Sequence, residues 1–203
     1  MKVVGIYLAA GNSCRMGKNK LALPIGTMTL GSMAIQTARK SLLDNIYIIT
    51  KLGDELSWLP TEVVNDKKCT LVTCPTSHKG QSESLRCGIK QAQLDKADAA
   101  IVMLADQPFI TVQMIDGMIT CMKKAPTNLY VAASHEQTIM PPVLFSSSLF
   151  PALLNLSGDT GAKALLRGEF LHQGKQILCE DNRLIFDVDT QEDYEKLLSI
   201  LGN

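Results

Sequence analysis

The chain has 203 residues, of which 46% are hydrophobic, and its 20 basic and 20 acidic side chains give a formal net charge of zero. This length suits one large domain with a full hydrophobic core, and the balanced charge excludes the global basic field that holds nucleic acid or an anionic membrane. No apolar run approaches the ~18 residues of a membrane helix, and the N-terminus lacks the features of a signal peptide, so we expect a cytoplasmic protein.

Six cysteines are scattered along the chain, and none forms a C-x-x-C pair. The sequence therefore predicts neither a zinc site nor a disulfide framework. We expect most of them to be small core residues in a reducing compartment, and we assign no role to Cys14. The six are Cys14, Cys69, Cys74, Cys87, Cys121 and Cys179.

Two kinds of apolar spacing alternate along the chain. Short runs predict strands at residues 2–8, 45–50, 62–65, 70–74, 99–104, 129–134, 142–145, 176–179 and 184–187. Helical spacing predicts helices at 29–41, 81–94, 111–124, 147–156, 160–167 and 191–201, and a short helical turn at 52–59. This alternation is typical of an α/β fold with a doubly wound, mostly parallel sheet, in a single domain over residues 1–203. One or two late strands are expected to be antiparallel.

The first strand leads into a loop, residues 9–20, that is rich in Ala and Gly at first and then basic. Such a loop can lay its backbone N–H groups against a polyphosphate, with Arg15, Lys18 and Lys20 as the countercharge. The alternative is an ordinary glycine-rich turn with surface lysines.

Two familiar nucleotide loops do not fit this segment. A P-loop has four residues between its glycines and Ser or Thr after its Lys, but here five residues separate Gly11 from Gly17 and Asn19 follows Lys18. The dinucleotide fingerprint G-x-G-x-x-G is also absent.

The apolar strand at 99–104 leads to Asp106 at the edge of the sheet where the first loop lies. A carboxylate at this position, next to phosphate, suits Mg²⁺. The alternative is a turn stabilised by Pro108. Two further acidic residues, Asp187 and Asp189, precede Thr190, which is expected to cap the last helix.

Two predicted helix starts carry polar donors. Gly80, Gln81, Ser82 and Ser84 surround one N-terminus, whose free N–H groups can hold a base edge, a ribose or a phosphate. The alternative there is an ordinary helix with Ser82 as N-cap. Residues 158–163 form the start of the other helix and carry polar donors and one cation, Lys163. The alternative interpretation of this segment is a capped turn with a solvated lysine. The three histidines show no metal spacing and are predicted to lie at the surface.

The segment L-A-A-G-x-S-x-R-M-G-x-x-K, residues 8–20, resembles the signature loop of the nucleotidyltransferases related to molybdenum cofactor guanylyl- and cytidylyltransferases, the MobA-like NTP transferase family. Residues 104–111 (L-A-D-Q-P-F-I-T), 80–89 (G-Q-S-E-S-L-R-C-G-I) and 158–163 (G-D-T-G-A-K) are similar to further motifs of that family, in the same order. One departure is I-M-P-P at 139–142, where the family carries Gly-x-Pro or Gly-His-Pro before the acceptor side.

The resemblance implies a role for each matched residue. Arg15, Lys20 and Asp106 would be catalytic, and Asp106 with Asp189, rather than Asp187, would hold Mg²⁺. The acceptor would contact Gly158, Asp159, Gly161 and Lys163. The nucleotide would contact Leu8, Ala9, Ala10, Gly11, Ser13, Arg15, Lys20, Gly80, Gln81, Ser82 and Ser84.

The activity implied by the resemblance is transfer of CMP from CTP to the terminal phosphate of molybdopterin, with release of pyrophosphate. Such a protein serves xanthine dehydrogenase-type hydroxylases in purine catabolism and contacts them transiently. CTP is preferred because Ala10 stands where the guanylyltransferases carry glycine. The alternatives are a guanylyltransferase for the same cofactor, a sugar- or alcohol-phosphate nucleotidyltransferase, and a non-catalytic cofactor-insertion partner of the hydroxylase.

Overall fold

A computed structural model describes residues 1–11, 17, 19–136, 138–158, 161–167 and 170–202. The strands of the described chain are β1 Val3–Leu8, β2 Pro24–Ile25, β3 Met28–Thr29, β4 Asn45–Lys51, β5 Cys69–Cys74, β6 Ala99–Leu104, β7 Tyr130–His135, β8 Thr138–Ser146 and β9 Lys175–Leu178. The α-helices are α1 Leu30–Arg39, α2 Thr61–Val64, α3 Gln81–Leu94, α4 Val112–Lys124, α5 Phe150–Leu154 and α6 Gln191–Leu201. Short 3₁₀ helices cover Lys20–Ala22, Ser77–Lys79, Ser147–Leu149, Ala162–Arg167 and Asn182–Ile185.

Seven of these strands form one mostly parallel sheet in the order β5-β4-β1-β6-β8-β7-β9, and β2 pairs with β3 in a small hairpin. β1 lies between β4 and β6 and is parallel to both, whereas β8 is antiparallel to its neighbours β6 and β7. The predicted α/β fold with a late antiparallel strand is confirmed. The chain first adds β4 and β5 on one side of β1 and then places β6 on the other, so the strand order reverses between β1 and β6.

Both faces of the sheet are covered because its central strands are apolar on both sides. In β1, Val3 and Tyr7 pack into the layer that contains α1 and α4. Val4 and Ile6 pack into the opposite layer, with α3 and α5. Continuous burial of this kind is typical of parallel strands with helices on each face. No helix in the described ranges is long and apolar enough to cross a membrane.

Two helix boundaries confirm the capping predictions. The Thr111 side chain accepts a hydrogen bond from the Met114 backbone N–H at 3.1 Å and starts α4. Thr190 and Asp193 form a reciprocal capping box at the start of α6, whose bounds match the prediction.

Two predicted strands are wrong. Residues 62–65 lie in and after the short helix α2, which starts after Pro60 and buries Val63 in the core. Residues 184–187 overlap a 3₁₀ helix, because the Asp181 carboxylate accepts the Arg183 N–H at 2.9 Å and fixes a turn instead of an extended segment. Residues 52–59 form turns rather than a helical turn, and the helix predicted at 160–167 is a 3₁₀ helix in its described part.

The cysteine prediction also requires a correction. Cys74 at the end of β5 and Cys87 in the second turn of α3 form a disulfide. The two residues are 13 positions apart and belong to different elements, so no local spacing indicated the pair. Among the other described cysteines, Cys69, Cys121 and Cys179 are free thiols.

The close packing of α3 on β1 leads to a stability prediction. A Cβ at Gly88 would lie 2.3 Å from Ile6 Cγ2, so Gly88→Ala must displace a core side chain. We expect a destabilisation of about 1–3 kcal/mol, measured by thermal or urea unfolding. Gly117→Ala on α4 is the matched control, because Gly117 is exposed and a Cβ there meets no atom within 4 Å. Its stability should stay level or rise by up to ~1 kcal/mol, and equal losses in both variants would contradict this packing.

Candidate active site

A cleft of about 450 Å³ opens at the carboxyl ends of β1 and β6, where the strand order of the sheet reverses. Such switch points are the usual ligand sites of open α/β sheets. The cleft brings together residues from four distant parts of the chain. Its lining consists of Leu8, Ala10, Gly11, Lys20, Ser77, His78, Gly80, Gln81, Ser84, Leu104, Asp106 and Asp189.

Lys20 lies between two carboxylates of the cleft. Its Nζ donates to Asp106 Oδ2 at 2.7 Å and to Asp189 Oδ1 at 2.9 Å. A third bond, also 2.9 Å, goes to the backbone carbonyl of Val188. The Lys20 side chain is only 12% exposed, so these charges attract each other with less screening than a surface pair would.

The backbone around this cluster is held by local bonds. Asn19 caps the 3₁₀ helix that starts at Lys20, because its Oδ1 accepts the Leu21 N–H. The Val188 N–H donates to the Asp106 carbonyl at 3.0 Å and so joins the two acidic segments. The carboxylate of Asp193 accepts the Asp189 N–H at 3.1 Å. The capping box of α6 therefore also fixes the position of Asp189.

The electrostatics of the cluster favour a charged lysine. Desolvation alone would lower the pKa of Lys20, but the carboxylates of Asp106 and Asp189 outweigh it and raise the pKa. For Asp187 the surroundings instead disfavour the charged form. Desolvation of its carboxyl, and then the negative charges of Asp106 and Asp189, raise the pKa of Asp187. Sequence reasoning did not assign Asp187 to the site, yet its carboxyl senses both acidic residues of the cleft.

The cleft offers oxygen ligands that suit a divalent cation. Asp106 Oδ1 is buried and has no hydrogen-bond partner among the described residues, while Asp106 Oδ2 is taken by Lys20. In the described part of the chain, no three His, Cys, Asp or Glu side chains are grouped to hold a metal ion by themselves. A cation in this cleft would therefore complete its coordination with phosphate oxygens and water, which is how Mg²⁺ is commonly bound.

The start of α3 forms one wall of the cleft. Gly80 is the N-cap residue with φ 130°, a conformation that strongly favours glycine, and Gln81 and Ser84 follow it into the lining. Ser82 requires a correction. Its hydroxyl is buried and donates to the Gly158 carbonyl at 2.7 Å, so it ties two segments together instead of lining the cleft. Nor is Ser82 the N-cap that the alternative interpretation required.

The first loop is described only in part. Leu8, Ala10 and Gly11 line the cleft. The methyl group of Ala9 instead packs into the core on the other face, and its N–H donates to the Ile49 carbonyl at 2.9 Å. Ser13 and Arg15, predicted to contact the nucleotide, lie outside the described residues, as does Asp159 on the acceptor side.

A second, smaller cavity of about 170 Å³ adjoins the cleft and shares Leu8, Gln81 and Leu104 with it. It contains two of the predicted acceptor residues, Gly161 and Lys163, among mainly apolar side chains. The Lys163 Nζ lies 3.7 Å from Met140 Sδ. Gly158 does not line either cavity, and its carbonyl accepts bonds from the hydroxyl and the backbone N–H of Ser82.

Two cleft residues were missed by sequence reasoning. Ser77 and His78 belong to the 3₁₀ helix before α3 and line the same cleft as Lys20 and Asp106. His78 was predicted only to be a surface residue, which it is, with its Nδ1 3.1 Å from the Pro75 carbonyl. Their place directly before the Gly80 motif was the available signal.

Comparison with known proteins finds similarity over most of the chain. The family model described as "MobA-like NTP transferase domain" matches residues 5–176. The "Purine catabolism protein PucB" of Bacillus subtilis is 34% identical over 197 residues, which cover 95% of this chain and 94% of that protein. A "Probable molybdenum cofactor guanylyltransferase" of Mycobacterium tuberculosis H37Rv is 27% identical over 118 residues, 57% of this chain and 54% of that protein.

Solved structures share the same fold. The Rv0371c homologue from Mycobacterium sp. strain JC1 has a TM-score of 0.79 at 27% identity, over 98% of this chain and 96% of that one. A manganese complex of Rv0371c from Mycobacterium tuberculosis H37Rv has a TM-score of 0.77 at 22% identity, over 98% and 99% of the two chains. The family model spans most of the sequence and a 34% identical relative spans nearly all of it. The chain therefore belongs to the MobA-like NTP transferase family.

Proposed function

We propose that this protein transfers CMP from CTP to the terminal phosphate of the molybdopterin cofactor and releases pyrophosphate. The observation that carries the proposal is the single cleft that unites Lys20, Asp106 and Asp189 with the Gly80 helix start at the switch point of the sheet. A nucleotidyltransferase needs countercharge for a triphosphate, carboxylates for a divalent cation and a helix start for the nucleotide, and this cleft contains all three.

Asp106 and Asp189 are the residues that would hold a divalent cation, which we propose to be Mg²⁺. The partnerless Oδ1 of Asp106 supports this assignment because it is a buried acceptor that the described residues leave unused. When bound, the cation would neutralise charge on the reacting phosphate. Lys20 already forms ion pairs with both carboxylates in this structure and offsets part of their charge, so it keeps the acidic pair together before any ligand arrives.

Charge neutralisation and positioning would carry the reaction. The attacking phosphate oxygen of the acceptor is anionic at neutral pH, so the cleft needs no strong general base. Lys20 would stabilise the negative charge that develops on the leaving pyrophosphate, together with Arg15 from the first loop. In-line attack requires the acceptor on the opposite side of the α-phosphate from the pyrophosphate.

The acceptor side is proposed to lie at the smaller cavity. Gly161 and Lys163 line it, and it shares Leu8 and Gln81 with the nucleotide cleft. A lysine in a mainly apolar cavity next to the cleft suits one end of an anionic, aromatic cofactor. The cavity of about 170 Å³ would hold only part of molybdopterin, and the rest would extend outwards.

Purine catabolism is the proposed setting, because the relative that spans nearly the whole chain is named for it. The product would then supply a xanthine dehydrogenase-type hydroxylase through transient contact, in the cytoplasm.

The second candidate is guanylyl transfer to the same cofactor, which the name of the mycobacterial relative favours. Ala10 belongs to the lining of the cleft, and a side chain larger than that of glycine at this position would favour the smaller pyrimidine.

The proposal is tested by pyrophosphate release with each of the four nucleotides, with and without molybdenum-loaded molybdopterin. We expect release with CTP only when the acceptor is present. Preference for GTP would establish the guanylyltransferase, and release with a sugar or alcohol phosphate would establish the third alternative. No release under any condition would favour a non-catalytic cofactor-insertion protein.

Lys20→Ala removes the ammonium that balances both the carboxylates and the triphosphate. We expect weaker nucleotide binding and turnover lower by at least ~100-fold, about 2.7 kcal/mol in activation free energy. Calorimetric titration and steady-state kinetics measure the two effects. Lys90→Ala, at an exposed position of α3, is the control and should behave as wild type. Full activity of Lys20→Ala would remove this lysine from the mechanism.

Asp106→Asn keeps the size of the side chain but loses the charge that would hold a divalent cation. Because the amide oxygen of asparagine can still accept the bond from Lys20, the fold should survive with at most a modest loss of melting temperature, while turnover is abolished. Glu192→Gln on the exposed first turn of α6 is the matched control and should keep full turnover. An unfolded Asp106→Asn protein would instead support a purely structural turn at this position.

Ala10 provides a test of base choice. Its methyl group should crowd a purine ring but not cytosine, and one such contact is worth ~1–3 kcal/mol. CTP should therefore exceed GTP in kcat/KM by at least ~10-fold, and Ala10→Gly should narrow the gap mainly by improving GTP. Ala10 also packs against the core, so the melting temperature of the variant must be recorded beside its kinetics. A wild-type preference for GTP would refute the cytidylyltransferase assignment.

A further inference from the structure

The disulfide between Cys74 and Cys87 encloses one wall of the nucleotide cleft. Cys74 ends β5, Cys87 lies in α3, and the residues between them form the 3₁₀ helix Ser77–Lys79 and the first turn and a half of α3. Five of the residues that line the cleft lie inside this covalent loop. They are Ser77, His78, Gly80, Gln81 and Ser84.

The two cysteines of the disulfide differ in their exposure to solvent. Cys74 is fully buried in the core layer below α3, whereas Cys87 is only partly buried at the edge of the same layer. Thiol–disulfide exchange depends on which sulfur an attacking thiolate can reach. We therefore expect an external dithiol to attack at Cys87 rather than at Cys74.

The reduced state is also accommodated by the surroundings. The Cys74 Sγ lies 3.4 Å from the Glu83 carbonyl oxygen, which can accept a hydrogen bond from the thiol once the disulfide is opened. The Thr76 hydroxyl lies 3.8 Å away as a second polar neighbour. A thiol at this position would therefore find a hydrogen-bond acceptor, so that opening the disulfide does not bury a donor without a partner.

We propose that Cys74–Cys87 is a reversible redox modification site that sets the affinity of the cleft for its nucleotide. The thiolate of a dithiol reductant attacks Cys87 Sγ, the protein S–S bond breaks, and Cys74 leaves and takes up a proton. The second thiol of the reductant then displaces Cys87, which is protonated in turn, and the reductant becomes a disulfide. Two electrons pass from the reductant to the protein, and a disulfide oxidant reverses the reaction.

Reduction should weaken nucleotide binding because it removes the covalent restraint on the wall of the cleft. The end of β5 and the start of α3 are then joined by non-covalent contacts, among them the 2.8 Å bond from Thr76 Oγ1 to Glu83 Oε2, while the core packing of α3 is retained. Ordering a looser segment costs binding free energy. By linkage, bound nucleotide must make the disulfide harder to reduce by the same factor by which oxidation strengthens binding.

The experiment compares the purified full-length protein before and after treatment with dithiothreitol. Alkylation and peptide mass spectrometry should find two fewer reactive cysteines before reduction, with Cys74 and Cys87 as the pair. Calorimetric titration with CTP should give a Kd at least about fivefold higher in the reduced protein, the lower end of typical coupling between two sites. Saturating CTP should raise the dithiothreitol concentration needed for half-reduction by the same factor.

Variants separate this pair from the other cysteines. Cys87→Ser should show the reduced-state Kd in both buffers, whereas Cys121→Ser and Cys14→Ser should keep the redox response of wild type. If Cys87→Ser does not fold, the comparison of wild type in its two states and the half-reduction measurement still decide. Absence of the cross-link, or equal Kd values in both states, would overturn the proposal.

The inference rests on the proposed function for the identity of the ligand, and a further measurement separates the two. Limited proteolysis should cut within residues 75–80 faster in the reduced protein, whether or not any nucleotide binds. Faster cleavage without CTP binding would refute the proposed function and leave the redox site in place. Unchanged cleavage together with redox-independent CTP binding would refute only the redox site.

Discussion

The architecture of the cleft depends on one cluster of charges, in which the Lys20 ammonium lies between the carboxylates of Asp106 and Asp189. The two carboxylates lie 86 and 169 residues after Lys20 along the chain, so these contacts join three distant segments at the site. Two carboxylates at such short range repel each other unless a cation lies between them. Lys20 supplies that cation in this structure, and the unused Oδ1 of Asp106 leaves an oxygen for a metal when phosphate is bound.

The sheet explains why this cluster forms where it does. β1 and β6 are parallel and in register from Val3 with Ala99 to Leu8 with Leu104, so their following loops leave the sheet side by side. The reversal of strand order at this point leaves room between the loops, because no crossover helix fills it. Phosphate chemistry in a chain of zero net charge is possible here because the fold concentrates a few charges in one cleft.

The other wall of the cleft belongs to the start of α3 and is held differently. Besides the packing of α3 in the core, two links fix it, which are the bond from Ser82 to Gly158 and the disulfide between Cys74 and Cys87. One of these links leads towards the proposed acceptor side, and the other leads to the edge of the sheet. Under the proposed function and the proposed redox site, the start of α3 would link the nucleotide, the acceptor and the redox state of this cysteine pair.

The sequence by itself determined the features that depend on local spacing. The alternation of strands and helices, the caps at Thr111 and Thr190 and the order of the family motifs all follow from residues close together in the chain, and the structure agrees with them. Local spacing failed at 62–65 and 184–187, where a proline and a capping aspartate outweigh β-propensity. Only the tertiary structure decided which side chains face the cleft: it buried Ser82, turned Ala9 into the core and placed His78 in the lining. It also joined Cys74 to Cys87 and gave Lys20 its two carboxylates, because these contacts unite segments whose meeting depends on the path of the whole chain.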